Sequence, residues 1–122
     1  REEIVKAGCE CIAYQINDVI DAMRKDSKID ISQMCVDGGP TRNKYLMQFQ
    51  SDISQTEVKI PDAEELSVIG AGYLAGESAG YYDPDDIYKA ITYNFFETKM
   101  QEQERSEKVH GWNEAVEMLL KK

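Results

Sequence analysis

The run Val36-Asp37-Gly38-Gly39-Pro40 constrains this chain more than any other stretch of its 122 residues. Two adjacent glycines remove side chains where the backbone must turn sharply, and a proline directly after them cannot carry a strand's hydrogen bonds forward. Upstream, residues 31–36 alternate and are rich in apolar side chains, which predicts a short strand. Downstream, residues 41–54 return to helical period, with Tyr45, Leu46, Phe49 and Ile53 on one side. Residues 58–60, stopped by Pro61, predict a second strand. Strand, helix and strand in succession imply a parallel pair joined by a right-handed crossover, the unit of an α/β fold.

Helices surround this unit. Residues 2–24 place Ile4, Cys11, Ile12, Ile16, Val19, Ile20 and Met23 at three-to-four spacing, an amphipathic helix with one stripe expected to be buried. Residues 64–79 predict a helix rich in small side chains: Gly70, Ala71, Gly72, Ala75 and Gly76. Glycine inside a helix costs up to about 1 kcal/mol relative to alanine, so three of them predict close approach of another backbone or a ligand. A short helix is expected over 84–90, with Pro84 at its first position. Residues 97–121 divide into a solvated charge run and a second half with Trp112, Ala115, Val116, Leu119 and Leu120 at core spacing. Trp112 reads as the anchor of that last helix. Tyr73, Tyr81, Tyr82, Tyr88 and Tyr93 read as amphipathic surface packing. Two strands are too few for an independent covered sheet. The sequence also opens at Arg1, inside a helical pattern and without a capping residue. The expectation is a piece of a longer protein, about half of a larger α/β domain.

Composition excludes several classes. A net charge of −9 argues against a nucleic-acid binder, which must supply cations to a polyanion. The longest stretch without a charged side chain, residues 66–76, is far short of the ~20 residues that span a bilayer. Cys9, Cys11 and Cys35 are an odd number for a disulfide framework, and the one histidine, His110, is remote from them in sequence. Their spacing gives no metal site, and free thiols point to a reducing, cytoplasmic compartment. His110 reads as solvated within the charge run.

The chemistry sits at the glycine turn. Bare backbone followed by the positive end of a helix suits an anionic or hydrogen-bond-accepting ligand. Asn43, in the first helical turn, offers an amide that both donates and accepts to a heterocycle edge. Asp37 suits bonding to the turn's own N–H groups better than acting as a catalytic base, and Glu65 suits a helix-start carboxylate. The same run reads equally as a tight turn and nothing more.

Val36-Asp37-Gly38-Gly39 with Asn43 and Leu46-Met47-Gln48-Phe49-Gln50-Ser51-Asp52-Ile53 resembles the adenosine motif of the FGGY carbohydrate kinases, its polyol-phosphorylating members nearest. The likeness continues through Val58-Lys59-Ile60-Pro61, the helix Glu65-Leu66-Ser67-Val68-Ile69-Gly70-Ala71-Gly72-Tyr73-Leu74-Ala75-Gly76, and Gly111-Trp112 near the end. Upstream it takes in Ile12-Ala13-Tyr14-Gln15 and Val19-Ile20-Asp21-Ala22-Met23. The resemblance implies a partial actin-like ATPase (ribonuclease H-like) domain, mostly helical, with residues 1–122 as the C-terminal part of the kinase's second lobe. It implies ATP with Mg²⁺, a sugar or polyol as acceptor, and Gly39 and Asn43 against adenine and ribose, with Gly38 shaping the turn. The glycine helix then corresponds to a connecting helix at the interlobe hinge. No catalytic residue falls within the chain, which by itself is expected to be inactive. Alternatives are a sibling kinase for a pentulose, rhamnulose or erythritol, and a non-enzymatic interaction module with an acidic surface. Helix faces left uncovered are expected to drive homo-oligomers.

Overall fold

The computed structural model describes residues 1–62, 66–81, 83 and 91–121. Helix α1 (Glu2–Ser27) carries Glu2 and Glu3 in its first turn and Arg24 and Lys25 in its last, matching the helix dipole at both ends. It stops at Lys28, whose φ of 55° is left-handed and whose N–H bonds back to the Arg24 carbonyl at 3.0 Å. Strand β1 (Gln33–Cys35) runs into the glycine turn, a single 3₁₀ turn spans Gly39–Arg42, and helix α2 (Lys44–Ser54) follows. Strand β2 (Glu57–Pro61) pairs parallel with β1, Met34 opposite Val58, as expected for strand, helix, strand. Helix α3 (Leu66–Ser78), strand β3 (Tyr93–Phe96) and helix α4 (Glu102–Leu120) complete the described elements.

Strand β3 is unannounced by the sequence reading. It adds antiparallel to β2, Val58 opposite Phe96 and Pro61 opposite Tyr93, so the sheet has three strands in the order β1-β2-β3. The residues Tyr93, Asn94, Phe95 and Phe96 show no apolar–polar alternation, which hid the strand. Pro61 does not stop β2 but closes its register, and the Asp62 N–H continues the ladder to the Thr92 carbonyl at 2.8 Å.

Helix α2 is the centre of the molecule. It packs against α1, β2, β3 and α4, so nearly every residue from Leu46 to Ser54 is buried. Leu46, Met47, Phe49 and Ile53 form the core with Ala13 and Val58, bordered by Tyr14, Ile60, Phe96 and Val109. Buried polar side chains are usually hydrogen-bonded, and most of those of α2 bond neighbouring backbone, although the Gln50 Oε1 has no partner among the described residues. The Ser51 hydroxyl donates to the Phe96 carbonyl at 2.8 Å. The Asp52 carboxylate accepts the N–H groups of Lys99 and Met100 at 2.6 and 3.0 Å. The Gln50 amide donates to the Ala13 carbonyl, and the Arg24 guanidinium donates to the carbonyls of Ser54 and Ile31, both at 2.9 Å.

The buried stripe of α1 differs from the expected one. Ala13, Asn17 and Ile20 face α2, whereas Ile4 (76%), Val19 (59%) and Met23 (53%) are exposed, with Ile12 and Ile16 beside them. The small side chain of Ala13 lets the two helices approach closely, and the larger apolar residues flank that seam on its outer side. The second half of α4 also departs from its core spacing: Leu119 and Leu120 are 71% and 77% exposed, and no residue of α4 is fully buried. Trp112 does anchor α4, stacking on Tyr14 with ring centroids 5.3 Å apart and donating its indole N–H to Asp18 at 2.8 Å. Within the expected charge run, Arg105 is not solvated but donates to the Ile53 carbonyl at 2.7 Å; His110 is exposed.

The small residues of α3 are not explained by close packing at two of the three positions. A Cβ on Gly70 or Gly72 would meet no atom within 4 Å, whereas Gly76 is buried. Tyr81 is exposed and Tyr93 lies under the Lys59 ammonium, 3.9 Å from its ring centre. The expected helix over 84–90, and Glu65, Tyr82 and Tyr88, lie outside the described residues.

Candidate functional site

The site is the connection from β1 to α2. Val36 holds its upstream end, its N–H bonding the Lys59 carbonyl of β2 at 3.0 Å. The next residue but one, Gly38, has φ 97° and ψ 176°, a backbone conformation that side-chain-bearing residues rarely adopt. Its carbonyl accepts both the N–H (3.0 Å) and the hydroxyl (2.7 Å) of Thr41, which locks the 3₁₀ turn. The glycine is required there by geometry. Gly39 is different: its φ is ordinary, and a Cβ built on it meets nothing within 4 Å. Space above Gly39 is open to solvent at the C-terminal end of β1, where ligands of parallel α/β sheets bind.

Asn43 lies one position earlier than the sequence reading placed it, as the N-cap of α2 and not inside its first turn. Its Oδ1 accepts the Leu46 N–H at 3.2 Å, and its Nδ2 donates to the Cys9 sulfur at 3.6 Å. One lone pair of Oδ1 and one N–H of the amide are left over from these bonds. Asp37 is exposed and its carboxylate takes none of the turn's N–H groups, so the turn-bonding role expected for it is not observed. The structure thus brings Gly38, Gly39 and Asn43 together on one exposed corner.

Two neighbours were invisible in the sequence. Cys9 comes from 34 residues away, delivered by the packing of α1 on α2. Tyr45 donates its hydroxyl to the Glu10 carboxylate at 2.5 Å. Burial, then that bond and the nearby negative charge, push the Tyr45 hydroxyl pKa well above its usual 10. Glu10 also pairs with Lys6 at 3.7 Å. Between the first turns of α1 and the start of α2 lies an open cleft of about 550 Å³, lined by Arg1, Glu2, Val5, Lys6, Cys9, Asn43 and Tyr45. The three cysteines are unpaired. Among the described residues no group of three or more His, Cys, Asp or Glu converges on a metal-sized point, and no helix is long and apolar enough to cross a membrane.

The chain as a whole is similar to known proteins. Residues 1–79 match the profile of the FGGY family of carbohydrate kinases, C-terminal domain. The chain is 43% identical over 118 residues to glycerol kinase from Shewanella halifaxensis (strain HAW-EB4), covering 95% of this chain and 24% of that protein. It is 45% identical over 121 residues to glycerol kinase from Natranaerobius thermophilus, covering 98% and 24%. The crystal structure of Plasmodium falciparum glycerol kinase with ADP superimposes with a TM-score of 0.84 at 36% identity, over 98% of this chain and 24% of that one. The chain therefore spans about a quarter of the length of the relatives it matches. Its helices and three-stranded sheet resemble those of the glycerol kinase C-terminal domain, which has the actin-like ATPase fold. Because that profile matches more than half of the 122 residues, this chain belongs to the FGGY family of carbohydrate kinases.

Proposed function

We propose that this chain supplies the adenosine-binding end of an ATP-dependent carbohydrate or polyol kinase of the glycerol kinase kind. The observation that carries the reading is the open backbone over Gly39, set between the positive-φ Gly38 and the N-capping Asn43. Gly38 turns the chain, Gly39 lets the nucleoside approach the backbone, and Asn43 presents its remaining donor and acceptor to base or ribose. The ADP bound by the Plasmodium falciparum relative is consistent with a nucleotide at this fold position.

The donor set of this corner, bare backbone and one amide, fits a nucleoside better than a metal-bound triphosphate, since among the described residues no group of three or more His, Cys, Asp or Glu gathers there. In such kinases Mg²⁺ neutralises charge on the transferring phosphoryl group, which passes in line to the acceptor hydroxyl. In this reading the ligands for Mg²⁺ and the acceptor site lie in the part of the relatives' length that this chain does not span. The three unpaired thiols support a cytoplasmic location. The exposed apolar residues of α1 support self-association.

Chemical-shift mapping of backbone amides tests the assignment. AMP, ADP and ATP should all move the resonances of Gly38, Gly39, Thr41 and Asn43, and tripolyphosphate should not. Shifts by tripolyphosphate at these amides, or nucleotide shifts centred elsewhere, contradict it. The chain alone should transfer no phosphate from ATP to glycerol; turnover above a no-protein control rejects the division of labour.

A further inference from the structure

Independently of the adenosine reading, we infer that a second groove, where α1, α2 and α4 meet, is a site for a small alkylammonium ion, with the Asp52 carboxylate as its anchor. The groove has a volume of about 240 Å³ and is open to solvent. Phe49 and Met100 give it apolar surface, and Tyr45 and Gln48 contribute a phenol ring and an amide. The rest of its lining is charged: Lys6 and Glu10 from α1, Asp52 from α2, Glu104 and Lys108 from α4. Drug-sized sites run to roughly 300–1,000 Å³, so this one suits a short chain.

The charges of the lining do not cancel. Lys6 pairs with Glu10 and Lys108 with Glu104, each at 3.7 Å and each within a single helix. Asp52 has no cationic partner among the described residues, although it is only 7% exposed and ionised carboxylates are costly to bury unpaired. Its two oxygens are used differently. Oδ1 accepts the N–H groups of Lys99 and Met100 and, at 3.2 Å, the Gln48 side-chain amide. Oδ2 takes no donor from the described residues and is not sealed from solvent, so it is open to a donor entering the groove.

An alkylammonium ion meets each of these features. It brings a positive charge and N–H donors to Oδ2 and lays its methylenes over Phe49 and Met100. The Tyr45 ring adds a face that attracts a cation. An anion is disfavoured, because three carboxylates outnumber two lysines and both lysines are already paired. A metal ion is not matched, since among the described residues no three His, Cys, Asp or Glu converge.

The experiment titrates the unaltered chain with butylammonium chloride, against sodium chloride at equal ionic strength and against butanol and butyrate. Butylammonium alone should give saturable shifts of the Lys99 and Met100 amides and of the Gln48 side-chain amide. Nuclear Overhauser contacts are expected from its methylenes to the Met100 methyl group and the Phe49 ring. Asp52→Asn keeps an oxygen for the Lys99 and Met100 N–H groups and removes the charge; it should weaken binding at least about tenfold. Gln48→Lys places an ammonium one helical turn from Asp52 and should block the probe with Asp52 intact, which keeps the test decisive if Asp52→Asn does not fold. Shifts that sodium chloride or butanol reproduces, or binding unchanged in Gln48→Lys or in a folded Asp52→Asn, overturn the inference.

Discussion

Asn43 closes the first turn of α2 through Leu46, so its structural and ligand roles must be separated by choice of substitution. Asn43→Ala removes the cap and should cost about 1 kcal/mol in urea unfolding; Asn43→Asp keeps the capping oxygen and should restore that stability. The aspartate loses both amide N–H donors, the one to Cys9 included, and gains a negative charge; with the cap kept, a nucleotide defect that persists there belongs to recognition and not to folding. Gly38 and Gly39 should separate in the same way. Gly38→Ala forces a Cβ into φ 97° and should cost about 1–2 kcal/mol, whereas Gly39→Ala should be tolerated. Tyr45 gives a pH signature. Its hydroxyl pKa is raised in the folded chain, so the stabilisation is complete below pH 10, the unfolded value, and is lost as pH rises above it. Unfolding midpoints measured from pH 8 to 11 should fall at the alkaline end, and Tyr45→Phe should flatten that fall.

At the scale of elements, the run that looks most like a family signature turns out to be architectural. Ser51 and Asp52 do not face the glycine corner; they bond the Phe96 carbonyl and the Lys99 and Met100 amides, tying β3 and the start of α4 to α2. Asp52→Ala strands two backbone donors and should destabilise the chain by about 2–3 kcal/mol, with hydrogen-exchange protection lost first in residues 99–105. The parallel pair and α2 were legible in the sequence because Gly38-Gly39-Pro40 punctuates them and the period changes from two to three-to-four across it. Strand β3 was not, since its place is set by polar side chains of α2 and by β2, far off in sequence. The α1 stripe misled for a related reason: periodicity marks apolar faces, but which one is buried depends on the partner helix. The site was half legible. Gly38, Gly39 and Asn43 are contiguous and carry turn and cap chemistry, whereas Val5 and Cys9 reach the same corner only through helix packing.

Among the described residues, exposed apolar side chains gather on the outer face of α1, on α3 and on the last turn of α4. Contiguous apolar patches larger than about a few hundred Å² are rare on monomers and mark interaction surfaces. Light scattering should show mass rising with concentration, and the pair Ile12→Glu with Val19→Glu should reduce it without changing helix content. Clean monomer behaviour at high concentration contradicts that expectation. The central claim is narrower, that the corner of Gly38, Gly39 and Asn43 is where this kinase-family chain meets adenosine. ATP affinity of the unaltered chain, compared with Gly39→Arg and Asn43→Asp in the same titration, tests it most directly. The account predicts binding lost in Gly39→Arg and weakened about tenfold in Asn43→Asp, with unfolding midpoints nearly unchanged. Equal ATP affinity in all three chains would contradict it.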